Sequence, residues 1–455
     1  MLRAFSSLFV IVACAAACRA PHQGLEPSVP RPRGVIVFLA DDVGVEAFGS
    51  YGGTSYSTPR LDRLAAEGLR FTAMHAQPLC TPSRVKLLTG KSNLRNYQRF
   101  SVLDPDEPTI ADVLRDAGYA TAAVGKWQLR GAAHYRDWAG IGARPEEAGF
   151  DRWCLWQVEE LGSRYWQPLL EVDGLLHEGA EDDYGPRAFL EYAKRFVEEH
   201  ADEPFFLFYP LALVHDPFVR TPDSAPDTEG AQAFFADMMA EMDHVVGELA
   251  DHVDRLGIAE DTLLLFTSDN GTHRRIRSMR DGREIRGGKR ETNDRGTHVP
   301  LIARWPGTIA AGRTSDDLMD LSDLFPTIAR VCDAALPTGH TFDGHDFTAR
   351  LLGRPHAPRR WISIYSNPRP GQENFPPSLF VRDARYKLYD DGRAFDLARD
   401  PDEEEPLDLD LLESDGRAAI EALRVALTSL PAPHAELGGE ALRARRRSGG
   451  GGETR

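Results

Sequence analysis

Hydrophobic runs alternate with amphipathic stretches over most of the chain. Continuous apolar runs predict buried strands at residues 34–40, 119–125, 205–215, 262–267 and 299–307. Apolar positions at helical spacing, bounded by capping residues, predict helices at residues 58–68, 110–117, 184–200, 234–256 and 322–332. Strands that alternate with helices in this way predict an α/β fold with a large, mixed, mainly parallel sheet flanked by helices.

The pattern changes after about residue 354. Short runs at residues 361–365, 378–382 and 386–389 predict a smaller antiparallel sheet, and residues 413–427 predict its helix. We therefore divide the chain into a large N-terminal domain at residues 34–353 and a C-terminal α+β subdomain at residues 354–435. Residues 436–455 are rich in glycine and arginine, which predicts a disordered tail.

The N-terminus has the pattern of a secretory leader. Residues 1–18 contain an apolar run that is too short to span a membrane comfortably, and the Pro-rich residues 19–33 predict a linker. Cys14 and Cys18 each follow small residues, which resembles a bacterial lipoprotein processing box; an ordinary signal peptide is the alternative. We therefore expect a secreted or periplasmic protein, held to a membrane only if one of these cysteines carries lipid.

Charge and cysteine content narrow the function classes. The 455 residues are 42% apolar, which is ample for a large core, and carry a net charge of −17, which argues against nonspecific nucleic-acid binding. An anionic substrate stays possible, because a local cluster of cations can override a distant acidic surface. Beyond the leader the cysteines are Cys80, Cys154 and Cys332, which is no disulfide framework. A pairing of Cys154 with Cys332 is left open, and buried free thiols are favoured.

Polar side chains stand at the ends of several predicted strands. Ligand sites in parallel sheets lie beyond the carboxyl ends of the strands. The carboxylate and amide oxygens among these side chains suit Ca²⁺ or Mg²⁺, and solvated acidic loops are the alternative. The residues at these ends are Asp41, Asp42, Lys126, His215, Asp269 and Asn270.

The segment at residues 78–90 reads Pro-Leu-Cys-Thr-Pro-Ser-Arg-Val-Lys-Leu-Leu-Thr-Gly. Thr81 as N-cap, Pro82 in the first turn and Gly90 at the end predict a short helix. Cys80 then lies at the helix N-terminus, where free N–H groups and the helix dipole favour an anion. Arg84 adds a planar cation one turn later. The alternative is a buried structural cysteine.

The order Cys-x-Pro-Ser-Arg followed by Leu-Thr-Gly resembles the signature of the type I, formylglycine-dependent sulfatases of the alkaline phosphatase superfamily. The resemblance implies that a maturation enzyme oxidises Cys80 to formylglycine, whose hydrated aldehyde is the nucleophile. It also implies Ca²⁺, rather than Mg²⁺, bound by Asp41, Asp42, Asp269 and Asn270, with the modified Cys80 in contact.

The same resemblance assigns the substrate site. Lys126 in Gly-Lys-Trp-Gln-Leu, His215 in His-Asp-Pro and Lys289 in Gly-Gly-Lys correspond to sulfate-binding residues of the family. With Arg84 and Ca²⁺, the two lysines would offset charge on the sulfate oxygens, and His215 or Lys289 would protonate the leaving alcohol. Asp269 would help to remove a proton from the formylglycine diol.

Two positions depart from the family pattern. Gln128 stands where the family usually has a histidine that takes a proton, and glutamine can orient a group but has no titratable site near neutral pH. His75 and His134 are other candidates for that step, without positional support. Residues 294–298 replace a common Glu-Gly-Gly and would reshape the pocket wall. The basic residues 274–295 nearby predict a loop.

The implied activity is hydrolysis of sulfate monoesters. A secretory leader and the habits of the family point to a sulfated carbohydrate, small or oligomeric, as the substrate. Two alternatives remain, namely a phosphonate or phosphate ester hydrolase of the same superfamily and a non-catalytic relative that binds sulfated glycans. Gln128 is the reason for keeping the second alternative.

Overall fold

The structure is a computed structural model that describes residues 29–135, 138–368 and 376–434. The predicted leader at residues 1–18 and the tail at residues 436–455 lie outside the described residues, as does most of the linker. None of the helices in the described ranges is long and apolar enough to cross a membrane.

The described chain forms sixteen strands and ten α-helices. The strands are β1 (Gly34–Ala40), β2 (Leu69–His75), β3 (Ala120–Lys126), β4 (Arg152–Trp156), β5 (Leu169–Val172), β6 (Leu175–Glu178), β7 (Phe205–Pro210), β8 (Thr262–Ser268), β9 (Arg277–Arg280), β10 (Arg283–Arg286), β11 (His298–Arg304), β12 (Arg313–Asp320), β13 (Ile362–Ser366), β14 (Ser378–Arg382), β15 (Tyr386–Tyr389) and β16 (Ala394–Asp396). The helices are α1 (Pro59–Glu67), α2 (Cys80–Thr89), α3 (Asn93–Asn96), α4 (Ile110–Asp116), α5 (Gly185–Glu199), α6 (Ala231–Arg255), α7 (Asp294–Thr297), α8 (Leu324–Val331), α9 (Thr348–Leu351) and α10 (Ser414–Ser429).

Ten strands form one sheet in the order β12-β2-β11-β8-β1-β7-β3-β4-β5-β6. Its centre, β8-β1-β7-β3, is parallel, whereas β11, β5 and β6 pair antiparallel with their neighbours. Ala40 pairs with Ser268, so the residues that follow β1 and β8 emerge side by side at one edge. This arrangement confirms the predicted fold class.

Helices cover both faces of the sheet. Every residue of β1 is buried, as expected for a central strand that is packed on both sides. One group of helices, α1, α5 and α6, packs together, and a second group contains α2, α4 and α8. Cys154 and Cys332 are both buried free thiols, so they do not pair.

The smaller sheet, β13-β14-β15-β16, is antiparallel and packs against α10, as predicted. A buried polar group that we call the clamp, formed by Thr292, Lys387, Tyr389 and Glu403, joins this sheet to the loop before α7. Lys387 Nζ donates to the Thr292 carbonyl at 2.5 Å and to Glu403 Oε1 at 2.6 Å. The Tyr389 hydroxyl donates to Glu403 Oε2 at 2.6 Å. The clamp therefore holds the segment that follows Lys289.

Three local predictions were wrong. Helix α2 begins at Cys80 with Leu79 as its N-cap residue, because the Thr81 side chain instead contacts the Gln128 carbonyl at 3.4 Å. The strand that starts at residue 205 ends at Pro210, which leaves His215 in a loop. The basic segment contains the hairpin β9–β10, whose two-residue Asp-Gly turn has positive φ angles of 51° and 77°. Such a turn matches the twist of a hairpin.

Candidate active site

The carboxyl ends of β1 and β8 bring four oxygen-bearing side chains together. Asp41 and Asp42 follow β1, Asp269 and Asn270 follow β8, and all four are fully buried. The backbone N–H of Asp269 donates to the Ala40 carbonyl at 2.9 Å, and that of Asp42 donates to Asp269 Oδ1 at 3.2 Å. Asp42 adopts a left-handed conformation, with φ of 63°. The two chain reversals thus aim their side chains at one point.

Cys80 is buried beside these carboxylates. Every residue of α2 is buried, and the Ser83 hydroxyl donates to the Asp269 carbonyl, which fixes the helix start against the end of β8. The Cys80 Sγ and one carboxylate oxygen from each of Asp41 and Asp269 all lie within 4.8 Å of one another. Burial raises the pKa of the Cys80 thiol. These three ligand atoms are therefore close enough together to share one metal ion.

Two lysines neutralise the carboxylates after β1. Lys126, the last residue of β3, places Nζ 2.6 Å from Asp41 Oδ2. Lys289, from the loop after β10, places Nζ 2.6 Å from Asp42 Oδ2. Both lysines are buried, so these charge-assisted hydrogen bonds form in a medium of low polarity.

Arg84 completes the cationic lining from one turn inside α2. Its Nη2 donates to Asp269 Oδ2 at 2.9 Å and its Nη1 to the Lys126 carbonyl at 2.6 Å. Burial and the charge of Asp41 raise the pKa of Asp269 to about 7, against the opposing effect of Arg84. Burial also acts to raise the pKa of Asp41, but Lys126 outweighs it and holds that pKa far below its usual value. The carboxylates therefore repel one another even with these cations present.

The residues fit a hard divalent cation. Asp41 Oδ1 and Asn270 Oδ1 are buried without a hydrogen-bond partner among the described residues. The Asn270 amide N–H donates to Asp42 Oδ1 at 2.8 Å, which leaves its carbonyl oxygen available. Buried oxygens of this kind are normally satisfied, and Ca²⁺ and Mg²⁺ prefer such ligands. Asp41, Asp42, Asp269 and Asn270 could hold the ion, with residue 80 in reach.

His215 approaches the same group from the loop after β7. Its Nε2 lies 3.6 Å from Asp42 Oδ2, and together with Asp41 and Asp42 it offers a second set of ligand atoms within 4.8 Å. Burial lowers the pKa of His215 to about 3, despite the opposing charge of Asp42. The imidazole is therefore neutral at physiological pH.

Arg164 holds His215 from behind and was missed in the sequence. Its Nη2 lies 2.9 Å from His215 Nδ1 and also donates to the Asp216 carbonyl, and its guanidinium stacks 4.4 Å from the centre of the Trp156 ring. The Asp216 carbonyl is also 2.5 Å from Nδ1. Arg164, which can only donate, and the Asp216 carbonyl, which can only accept, together hold Nδ1, and the ring is fixed with Nε2 facing Asp42. No local motif marks this arginine, which lies 51 positions from its partner.

Gln128 lies next to the site, two residues after Lys126. It is buried, its φ is 55°, and its Oε1 has no hydrogen-bond partner within the described chain. His134 stacks on Tyr135 with ring centres 3.8 Å apart. His75 lies in β2, which β11 separates from β8, and stacks on His298 instead of reaching the site. The structure therefore brings Gln128 close to the other candidates and leaves His75 outside.

Residues 294–298, which we expect to reshape the pocket wall, also make a contact outside the site. Asp294 begins α7 and pairs with Arg382 of β14 at 2.6 Å, so it ties this segment to the smaller sheet.

A sequence model of the sulfatase family matches residues 33–334. The chain belongs to the sulfatase family. Human arylsulfatase A is 33% identical over 80% of this chain and 75% of its own length. N-acetylgalactosamine-6-sulfatase of the dog is 31% identical over 71% of this chain and 67% of its own length. The crystal structure of the PsFucS1 sulfatase from Pseudoalteromonas superposes with a TM-score of 0.69, at 26% identity, over 88% of this chain and 90% of that one. This sulfatase is accordingly an enzyme of sulfate ester hydrolysis.

Proposed function

We propose that this sulfatase removes sulfate from a carbohydrate, using a formylglycine made from Cys80 and a Ca²⁺ ion held by Asp41, Asp42, Asp269 and Asn270. The observation that carries the proposal is the meeting of Cys80 Sγ with the oxygens of Asp41 and Asp269 within 4.8 Å. The unpartnered oxygens of Asp41 and Asn270 support the cation. Similarity to the canine N-acetylgalactosamine-6-sulfatase supports a sulfated sugar as the substrate class.

The formylglycine at residue 80 and the Ca²⁺ ion would supply the nucleophile and part of the positive charge. Formylglycine provides a hydroxyl of an aldehyde hydrate as nucleophile, and bound Ca²⁺ provides positive charge near it. The remaining steps use side chains of the chain itself.

The cations bind and polarise the sulfate. Lys126, Lys289 and Arg84 are buried, fixed by carboxylates and placed on different elements around Cys80. Preorganised donors of this kind stabilise charge that develops on the transferring group, because they need no rearrangement during the reaction. Asp269, whose pKa burial raises to about 7, is placed to accept a proton from the nucleophile.

His215 is the proton donor to the leaving alcohol. Its Nε2 points to the carboxylate side of the site, while Arg164 and the Asp216 carbonyl hold Nδ1. Gln128 can hydrogen-bond to the sulfate or to the nucleophile but cannot take up a proton.

The first test is mass analysis of the peptide that contains residue 80, from protein co-expressed with a formylglycine-generating enzyme. We expect conversion of the thiol to an aldehyde, and loss of aryl sulfate turnover in Cys80→Ala and Cys80→Ser proteins with unchanged thermal unfolding. A serine control matters because its sulfate ester would not release sulfate. Full activity of protein whose Cys80 is unmodified would refute the proposal.

Two alternatives are separated by substrate. The same cations would accept a phosphonate or phosphate ester, so kcat/KM should be compared for aryl sulfate, aryl phosphonate and aryl phosphate. A clear preference for the sulfate ester supports the proposal. Gln128 is the observation that favours a binding relative without turnover, and multiple turnovers of any sulfate ester would exclude it.

A further inference from the structure

A dense group of cations lies just outside the candidate active site. Residues 274–290, which we call the arginine hairpin, contain seven arginines and Lys289 but only two acidic residues, in a chain whose net charge is −17. The segment was predicted as a loop and instead forms β9 and β10 with their flanks. Lys289 serves the site, and the arginines have no role in the mechanism above.

The base of the hairpin is joined to the site by its backbone. Its first stem starts four residues after Asn270, and its second stem ends at Lys289. The Lys289 N–H donates to the Thr272 carbonyl at 3.0 Å, which ties the end of the second stem to the segment just before the first. The Arg290 N–H donates to the Pro78 carbonyl at 2.8 Å, next to the start of α2. The backbone at Arg290 is therefore anchored to the segment that leads into Cys80.

The first stem of the hairpin also approaches His215, the proposed proton donor to the leaving alcohol. Arg275 Nη2 lies 3.7 Å from Asp216 Oδ2, and Asp216 Oδ1 lies 3.3 Å from His215 Nδ1. The hairpin thus begins where we expect the alcohol part of the substrate to leave.

The arginines differ in whether an acid already pairs with them. Arg277, which stands opposite Arg286 in the hairpin, pairs with Glu284 at 2.8 Å, and Arg283, next to the turn, pairs with Asp402. At the base, acidic partners within 4.0 Å are absent among the described residues for Arg274, Arg286 and Arg290. All three are exposed. Arg286 Nε donates to the Arg274 carbonyl at 3.1 Å, so the Arg286 guanidinium lies against the backbone of Arg274. Like charges kept together without counter-charges favour binding of an anion.

We propose that the base of the arginine hairpin binds a second sulfate group of a multiply sulfated glycan chain whose first sulfate occupies the active site. The inference rests on the proposed function and extends it from a sulfate monoester to a polyanionic substrate. Guanidinium groups are suited to binding a sulfate because their planar N–H pairs match two of its oxygens. The acidic remainder of the protein repels polyanions elsewhere, which confines binding to this face.

The test uses full-length protein that carries formylglycine and compares two triple variants that lose the same charge. The hairpin variant is Arg274→Gln, Arg286→Gln and Arg290→Gln. The control is Arg399→Gln, Arg417→Gln and Arg424→Gln, which changes exposed arginines of the C-terminal part. Hydrolysis of an aryl sulfate reports the active site, and its inhibition by dextran sulfate reports polyanion binding.

We expect the inhibition constant of dextran sulfate to rise about ten-fold or more in the hairpin variant at low salt. In the control it should change by less than about two-fold, since Arg399 and Arg424 already pair with acids and exposed charges are screened. The kcat/KM for the aryl sulfate, which has a single charge, should stay within about three-fold of wild type in both. Raising the salt concentration should remove most of the difference between the two variants.

Three outcomes would overturn the inference. Unchanged inhibition in the hairpin variant would show that the base does not bind polyanions. Equal weakening in both variants would reduce the effect to net charge. Equal inhibition of wild type by a single-stranded oligonucleotide, lost in the same variant, would show a surface without preference for sulfate. Calorimetric binding of dextran sulfate keeps the test separate from the proposed function, because it needs no turnover: an inactive wild type would refute that function alone.

Discussion

Two groups of buried charges, the candidate active site and the clamp, differ in how completely their polar atoms are paired. In the clamp, Lys387 and Glu403 are bonded to each other and to neighbours at both ends. At the site, Asp41 Oδ1 and Asn270 Oδ1 have no partner among the described residues. Both groups are buried, so burial of charge does not distinguish them.

Buried polar atoms without a partner also occur elsewhere in the described chain, but at the site they are oxygens of the kind that bind a hard cation, so here incomplete pairing supports a bound ion. A satisfied buried pair contributes to a specific structure, and the clamp holds the smaller sheet to the segment after Lys289. An unsatisfied cluster lowers stability and persists where function requires it. Substitutions that alter one group and leave the other intact test this difference.

The largest effect is expected from opening the clamp. Burial lowers the pKa of Lys387 to about 8 against the pull of Glu403, so the ion pair is intact at pH 7 but held at a cost. Lys387→Met leaves Glu403 buried without its cation and should lower the free energy of unfolding by about 3–5 kcal/mol in urea titrations. Adding Glu403→Gln should restore part of that loss. A single variant within about 1 kcal/mol of wild type would show that the clamp is not structural.

A smaller effect on stability is expected when Ca²⁺ binds at the candidate active site. Ca²⁺ at a hundred times its dissociation constant should stabilise the wild type by about 2.7 kcal/mol, seen as a higher melting temperature. Asp42→Asn should abolish that increment, because the site loses a ligand charge. Asp281→Asn, which neutralises an exposed acid in the hairpin turn, is the matched control and should keep it. If Ca²⁺ still raised the melting temperature of the Asp42→Asn protein, the ion would bind at another place.

The sequence allowed the central strands and the residues at their ends to be predicted, because both are local. A run of apolar residues ends at Ala40, and the polar residues that follow must lie at the sheet edge. The clamp could not be predicted, since Lys387 and Thr292 are 95 positions apart and neither belongs to a motif. The hairpin was missed because arginines occupy both of its strands and hide the alternation, although its Asp-Gly turn was a usable signal.

An intermediate effect on catalysis is expected at Arg164. Arg164→Gln removes the cation that fixes His215, and loss of a charge-assisted hydrogen bond of about 2 kcal/mol should lower kcat/KM about thirty-fold. The loss should be larger for alkyl sulfates than for nitrophenyl sulfate, since a poor leaving group depends more on protonation. Arg164→Lys should recover part of the activity.

The control for this substitution is Arg152→Gln, which removes an exposed arginine paired with Asp173. This variant should keep the wild-type kcat/KM for both the alkyl sulfate and the nitrophenyl sulfate. Equal losses for alkyl and nitrophenyl esters in Arg164→Gln would assign Arg164 to packing on Trp156 rather than to positioning His215.

The smallest effect is expected at Gln128. Its Oε1 is an unpaired buried acceptor, and its positive φ is one that histidine tolerates. Gln128→His would supply a group that can take up a proton where the family usually has one, and should raise kcat a few-fold, by about 1 kcal/mol or less. Gln157, also buried with a φ of 60°, provides the control: Gln157→His should not raise kcat. A fall in kcat for Gln128→His would mean that glutamine is adapted to this site and that another group accepts the proton.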